Sequence, residues 1–162
     1  QELEVRMQEI EKELESLARE HPVIQSLRGI PGIGVLTATA LYASVGNVHL
    51  FQSGRHLASW LGITPREHSS GGRRYLGRIT KKGDAYLRTL LIHGARSALR
   101  VAQHRHKAGA PLSRLQAWTV EKCADRHHNQ AAVALANKLV RICWAVWKHE
   151  RRFDGDYLPQ AA

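Results

Sequence analysis

Aromatic side chains are scarce in this chain of 162 residues, at 6%. A protein that holds single strands chiefly by stacking bases on a strip of rings is therefore not expected. Cysteine is scarcer still: Cys123 and Cys143 stand far apart, each flanked by helical sequence. That excludes a disulfide-stapled domain and predicts two reduced core thiols in a cytoplasmic protein. His104, His106, His127 and His128 suggest zinc, but no Cys-x-x-Cys pair accompanies them and their spacing is not that of a finger. No apolar run approaches the ~20 residues that cross a bilayer, and the acidic N-terminus is unlike a signal peptide, so no membrane partner is expected. Carboxylates are few outside residues 1–20: Glu67, Asp84, Glu121, Asp125, Glu150, Asp154 and Asp156, all scattered. A two-metal nuclease centre needs clustered oxygen ligands, so no self-contained metal site is expected in this chain.

What the chain has instead is positive charge. Its net charge is +10, while residues 1–20 hold seven Glu against Arg6, Lys12 and Arg19, a net −4, which leaves +14 on the remainder. A basic body behind an acidic arm predicts a polyanionic partner, most simply nucleic acid. A basic protein with no such partner is the plain alternative.

Leu3, Met7, Ile10, Leu14 and Leu17 step by 4, 3, 4, 3, which is the a/d seam of a coiled coil and predicts a helix over about residues 2–20. The seam is short for a stable dimer, and the chain opens at Gln1 rather than Met, so a piece of a longer protein is expected, with the helix continuing upstream. The arm serves oligomerisation or spacing; alternatively it packs on its own domain. Pro22 ends it or restarts the chain in a new direction. In SLRGIPGIGVLTATALYASVG two short helices flank a glycine turn plugged by Ile30 and Ile33. Gly32 and Gly34 are candidate backbone contacts, because glycine admits close approach and the N–H groups opening the second helix suit a phosphate. The pattern resembles a helix-hairpin-helix motif; a plain, tightly packed helix connection is the alternative. Ser53 predicts an N-cap for a helix through Trp60, and Asp84 one for a long helix bearing Leu87, Leu91, Ala95 and Leu99 on one face. A helix led by Pro111 and a last helix over 129–150 follow, with Trp144 and Trp147 as core anchors. The fold expected is mainly α: a coiled-coil arm over 1–21, a compact helical domain over 22–152 and a frayed tail over 153–162. Only residues 74–80 have strand character, as a small hairpin or an extended loop.

The stretch EHSSGGRRYLGRITKKGD, residues 67–84, joins Ser69 and Ser70 to Gly71 and Gly72 and then to Arg73, Arg74, Arg78, Lys81 and Lys82. A serine that attacks a phosphate needs a loop that admits the phosphate, cations that absorb transition-state charge, and a proton acceptor. Glycines and arginines supply the first two, and His68 is a candidate for the third. Composition by itself ranks a loop that grips a nucleic-acid backbone above a nucleophile. Glycines beside mutually repelling cations also predict a loop that is mobile without its partner.

Three blocks in order, IPGIGVLTATALYASVG, FQSGRHLASWLGITPREHSSGG and LGRITKKGDAYLRTLLIHGARSAL, resemble the C-terminal transposase domain of the IS110 class of bacterial insertion sequences, IS1111 subgroup. The likeness covers about residues 24–104. It implies a cytoplasmic, nucleoid-associated DNA recombinase working through an RNA-guided, serine-dependent reaction. DNA, a guide RNA and further copies of the chain, joined as dimers or tetramers through the coiled coil, are the implied partners. The Ser-Gly step makes Ser70 the implied nucleophile, with Ser69 as runner-up. Gly71, Gly72, Arg73, Arg74, Arg78, Lys81 and Lys82 become expected nucleic-acid contacts. The family's acidic domain, which holds divalent metal (Mg), is not in this sequence. No cofactor is therefore expected here, and this piece is expected to bind nucleic acid without cutting it. The rival reading is a non-enzymatic nucleic-acid-binding and oligomerisation module.

Overall fold

The computed structural model describes residues 2–157. The elements run α1 (Glu2–Glu20), α2 (Pro22–Arg28), α3 (Val35–Val45), a 3-10 turn (Val48–Leu50), α4 (Gly54–Trp60), β1 (Pro65–Glu67), β2 (Leu76–Ile79), α5 (Ala85–Lys107), α6 (Arg114–Ala124) and α7 (His128–Lys148). The chain is mainly α, and β2 falls within the only stretch with strand character. No helix among the described residues is long and apolar enough to cross a membrane.

The body is built around α7. Ala132, Leu135, Ala136, Leu139, Cys143 and Val146 recur at three- and four-residue spacing and are buried, the stripe that drives a helix into a core. The helix packs against α2, α4, α5 and α6. Trp147 stacks on Tyr42 of α3 with ring centroids 5.5 Å apart, as a core anchor should. Trp144 is only half-buried, and its indole N–H donates to the Phe51 carbonyl at 3.0 Å. Both cysteines are free. Burial pushes the Cys143 thiol up to about 12 and raises Cys123 as well, so both stay protonated near neutral pH and are poor nucleophiles.

Pro22 occupies the first turn of α2, where its missing N–H costs nothing, so it restarts the chain. Ile30 and Ile33 are buried in the turn that follows. Gly32 sits directly on Gly94, midway along α5: a Cβ built on either would collide with the other's carbonyl. The two glycines let the α2–α3 turn rest on bare α5 backbone.

The last turns of α1 pack on the body through buried Ala18, and Arg28 grips Glu15 with two hydrogen bonds of 2.8 Å. Farther up, the apolar seam stays open, with Leu3, Met7 and Ile10 79%, 61% and 52% exposed. At the other end, α6 begins at Arg114 rather than at Pro111. Ser113 and Gln116 form a reciprocal capping box there, and that signal was present in the sequence. Residues 151–157 do not fray. They fold back on the start of α6, where the Leu115 N–H donates to the Gly155 carbonyl at 3.1 Å and the Arg114 N–H to Asp156 Oδ1 at 2.8 Å. Residues 158–162 of the expected tail, like Gln1, lie outside the described residues.

Candidate nucleic-acid interface and serine site

The stretch is a β-hairpin, one of the two forms expected of residues 74–80, and its first strand begins earlier, at Pro65. β1 and β2 pair antiparallel, and the pairing continues beyond them: the His68 N–H donates to the Tyr75 carbonyl at 2.9 Å and the Arg73 N–H to the Ser70 carbonyl at 3.2 Å. The turn residues Gly71 and Gly72 have φ of 58° and 78°. A two-residue turn with both centres in the left-handed region is the kind whose twist suits a hairpin, and glycine takes it without strain. The glycine pair therefore has a structural reason of its own, and it places Ser70 at the corner of the tip.

Side chains alternate along a strand, so neighbouring serines face opposite ways. Ser69 shares a face with Glu67, to which its hydroxyl donates at 2.8 Å, and Arg74 Nε also donates to that carboxylate at 3.1 Å. Those contacts, the Ser69 hydroxyl foremost and then the Arg74 charge, hold the Glu67 carboxyl below the ordinary carboxylate range. Ser70 falls on the other face with His68, and its hydroxyl makes no hydrogen bond among the described residues. Every residue from Pro65 to Arg78 is exposed. Of the five cations, only Arg74 has an ion-pair partner among the described residues; Arg73, Arg78, Lys81 and Lys82 keep their charge open to an incoming anion.

The foot of the hairpin is stitched to rigid elements. Thr80 N–H donates to the Thr64 carbonyl at 2.9 Å, Lys81 N–H to the Gly62 carbonyl at 3.1 Å, and Arg88 of α5 reaches back to the Leu61 carbonyl at 3.3 Å. Asp84 accepts from the Leu87 N–H at 2.7 Å and starts α5 as expected of an N-cap. Replacing Asp84 with alanine is expected to cost about 1 kcal/mol, read as a melting shift of about 2–4 °C.

The structure gathers Ser69, Ser70, Gly71, Gly72, Arg73, Arg74, Arg78, Lys81 and Lys82 on this one hairpin. It does not bring Gly32 and Gly34 there. Gly32 meets α5 at Gly94, about 15 Å along the helix from its Asp84 end. Its closeness to another backbone serves packing. Gly34 is different: it is exposed, open space lies where a Cβ would stand, and no side chain caps α3 behind it. Of the two glycines it is the one a phosphate can reach. Among the described residues no three His, Cys, Asp or Glu side chains form a group that could hold a metal ion.

A helical body that presents an open, cation-rich, serine-tipped hairpin is the build of a domain that meets a polyanion. The model of the Transposase IS116/IS110/IS902 family matches residues 24–109, and the chain belongs to that family. It is 43% identical over 150 residues to the "Probable family 20 transposase" of Pseudomonas aeruginosa, covering 93% of this chain and 43% of that protein. It is 40% identical over 143 residues to the "Transposase for insertion sequence element IS1111A" of Coxiella burnetii, covering 88% and 38%. A "Pilin gene-inverting protein" of Moraxella bovis is 33% identical over 129 residues, covering 79% and 38%. The chain thus spans about two fifths of the length of these curated relatives.

Proposed function

We propose that this chain is the DNA-gripping, nucleophile-bearing part of a longer recombinase that cuts and rejoins DNA during RNA-guided transposition. The observation that carries this reading is the serine pair at the tip of an exposed basic hairpin in a chain of this family. Ser70 Oγ attacks a DNA phosphorus. A serine–DNA phosphodiester forms, the bond to the departing deoxyribose oxygen breaks, that oxygen takes up a proton, and the serine proton passes to a base. Arg73, Arg78, Lys81 and Lys82 hold the phosphate and absorb the charge that builds on its oxygens. His68, on the Ser70 face, is the acceptor within this chain. Ser69 is the second reading, favoured by the carboxylate already bonded to its hydroxyl.

The test is to incubate the longer protein with its DNA and guide RNA, stop the reaction in detergent, digest with trypsin and sequence the peptide spanning residues 67–73. A nucleotide remnant on Ser70 is expected. A remnant on neither serine while the DNA is cut would overturn the reading.

The open seam of α1 is, on the same reading, where a second copy pairs, since heptad spacing leaves Leu3, Met7 and Ile10 waiting for knobs from a like helix. Met7→Glu with Ile10→Glu is expected to shift sedimentation toward the monomer while leaving the melting temperature of the body nearly unchanged, because both side chains are more than half exposed.

A further inference from the structure

A cleft of about 670 Å³ opens between the start of α4, α6, α7 and the folded-back segment 151–157. Six cationic side chains line it: Arg55, Arg114, Lys138, Arg141, Arg151 and Arg152. None of them forms an ion pair among the described residues. The one carboxylate at the lining, Asp154, already accepts from the Asp156 N–H at 2.8 Å, and Asp156 is held by the Arg114 N–H. Lys138 is partly buried, and that burial together with nearby Arg141 lowers its pKa, as positive charge without an anion does.

The floor is apolar. Trp118, Trp144, Phe153 and Tyr157 line it, four of the ten aromatic residues in a chain that has few. Lys138 Nζ lies 4.5 Å from the Trp118 ring centre, and the Arg151 guanidinium 4.3 Å from that of Tyr157. No residue of the hairpin lines the cleft: α4 opens on it at Gly54, while the hairpin foot binds residues just past the other end of α4, about 10 Å away.

A duplex is stiff, convex and paired inward, and cannot lower a base into a hollow of this size. An unpaired nucleotide can, and the volume falls in the range of pockets that enclose one small ligand. We propose that this cleft is a second nucleic-acid site that takes an unpaired nucleotide of a single strand, its base on the aromatic floor and its flanking phosphates on the arginine rim. The site is separate from the serine chemistry and stands or falls independently of it.

Fluorescence anisotropy on this chain, with labelled oligo-dT and oligo-rU of about 12 nucleotides and a duplex of equal length, tests it. Arg55 and Arg141 are exposed and make no hydrogen bond among the described residues, so Arg55→Gln with Arg141→Gln leaves the fold intact, to be checked by an unchanged melt. This pair is expected to weaken single-strand binding by about tenfold and to flatten its salt dependence by about 1.4 units of log–log slope, while duplex binding stays within about twofold. Tyr157→Ala is expected to weaken the single strands only. Arg73→Gln with Lys82→Gln, on the hairpin, is expected to weaken the duplex instead. A larger loss with dT or with rU identifies the strand that the cleft prefers, and either supports the site. No single-strand binding by the parent chain, single-strand affinity within twofold of the parent in the cleft pair, or equal loss of duplex and single strand would each overturn it.

Discussion

Ser70→Ala in the longer protein is expected to remove the covalent protein–DNA product, by at least about a thousandfold, with DNA affinity held within about twofold. On the proposed reading, removing the Ser70 oxygen leaves nothing to form the new bond. It breaks no contact either, because the Ser70 hydroxyl has no hydrogen-bond partner among the described residues and sits on an exposed tip. Ser69→Ala removes the hydroxyl that donates to Glu67 and is expected to slow the reaction only a few-fold, about the effect of one lost exposed hydrogen bond. A denaturing gel of end-labelled DNA reads both. The reverse pattern would pass the role to Ser69. Glu67→Gln separates the cases further: it is nearly silent if Ser70 attacks, and severe if Ser69 attacks with the Glu67 carboxylate as its proton acceptor.

Gly94→Ala is expected to destabilise the chain by about 3 kcal/mol and lower its melting temperature by about 6–12 °C. Alanine is the better helix former by about 1 kcal/mol, so in an exposed helix this change would stabilise. Here the new methyl group points into the Gly32 carbonyl, backbone that cannot swing aside as a side chain could. Either α5 or the α2–α3 turn must move, and with it buried Ile30 and Ile33. Gly109→Ala is the control. Gly109 has φ 67° but open space around it, so it carries only the conformational penalty of about 1–2 kcal/mol.

Much of the fold was legible because helices announce themselves. The stripe of α7 and the caps at Ser53 and Asp84 are local signals, and each agrees with the tertiary packing; the heptad steps of α1 predict its helix, while most of that seam lies open. The serine hairpin was half legible. Ser-Ser-Gly-Gly among cations marked it as a site, but loop and hairpin share that composition, and the difference lies in the left-handed φ of Gly71 and Gly72 and in a ladder formed across the turn. The packing of Gly32 on Gly94 was not legible, because the two are sixty-two positions apart in sequence. The basic cleft left no trace in the sequence. Arg55, Trp118, Arg141 and Tyr157 come from four separate segments, and no period or motif links residues that only packing brings together.

The hairpin has one irregularity, between its anchored foot and its serine tip. Pro65 pairs with Ile79 and Glu67 with Leu76, so two steps along β1 are matched by three along β2. An extra residue on one strand bends it and tightens its local twist. Deleting Gly77 would keep both serines and every cation in the chain and still swing the tip to point elsewhere. The direction of the tip is therefore set by a count of residues as well as by their kinds.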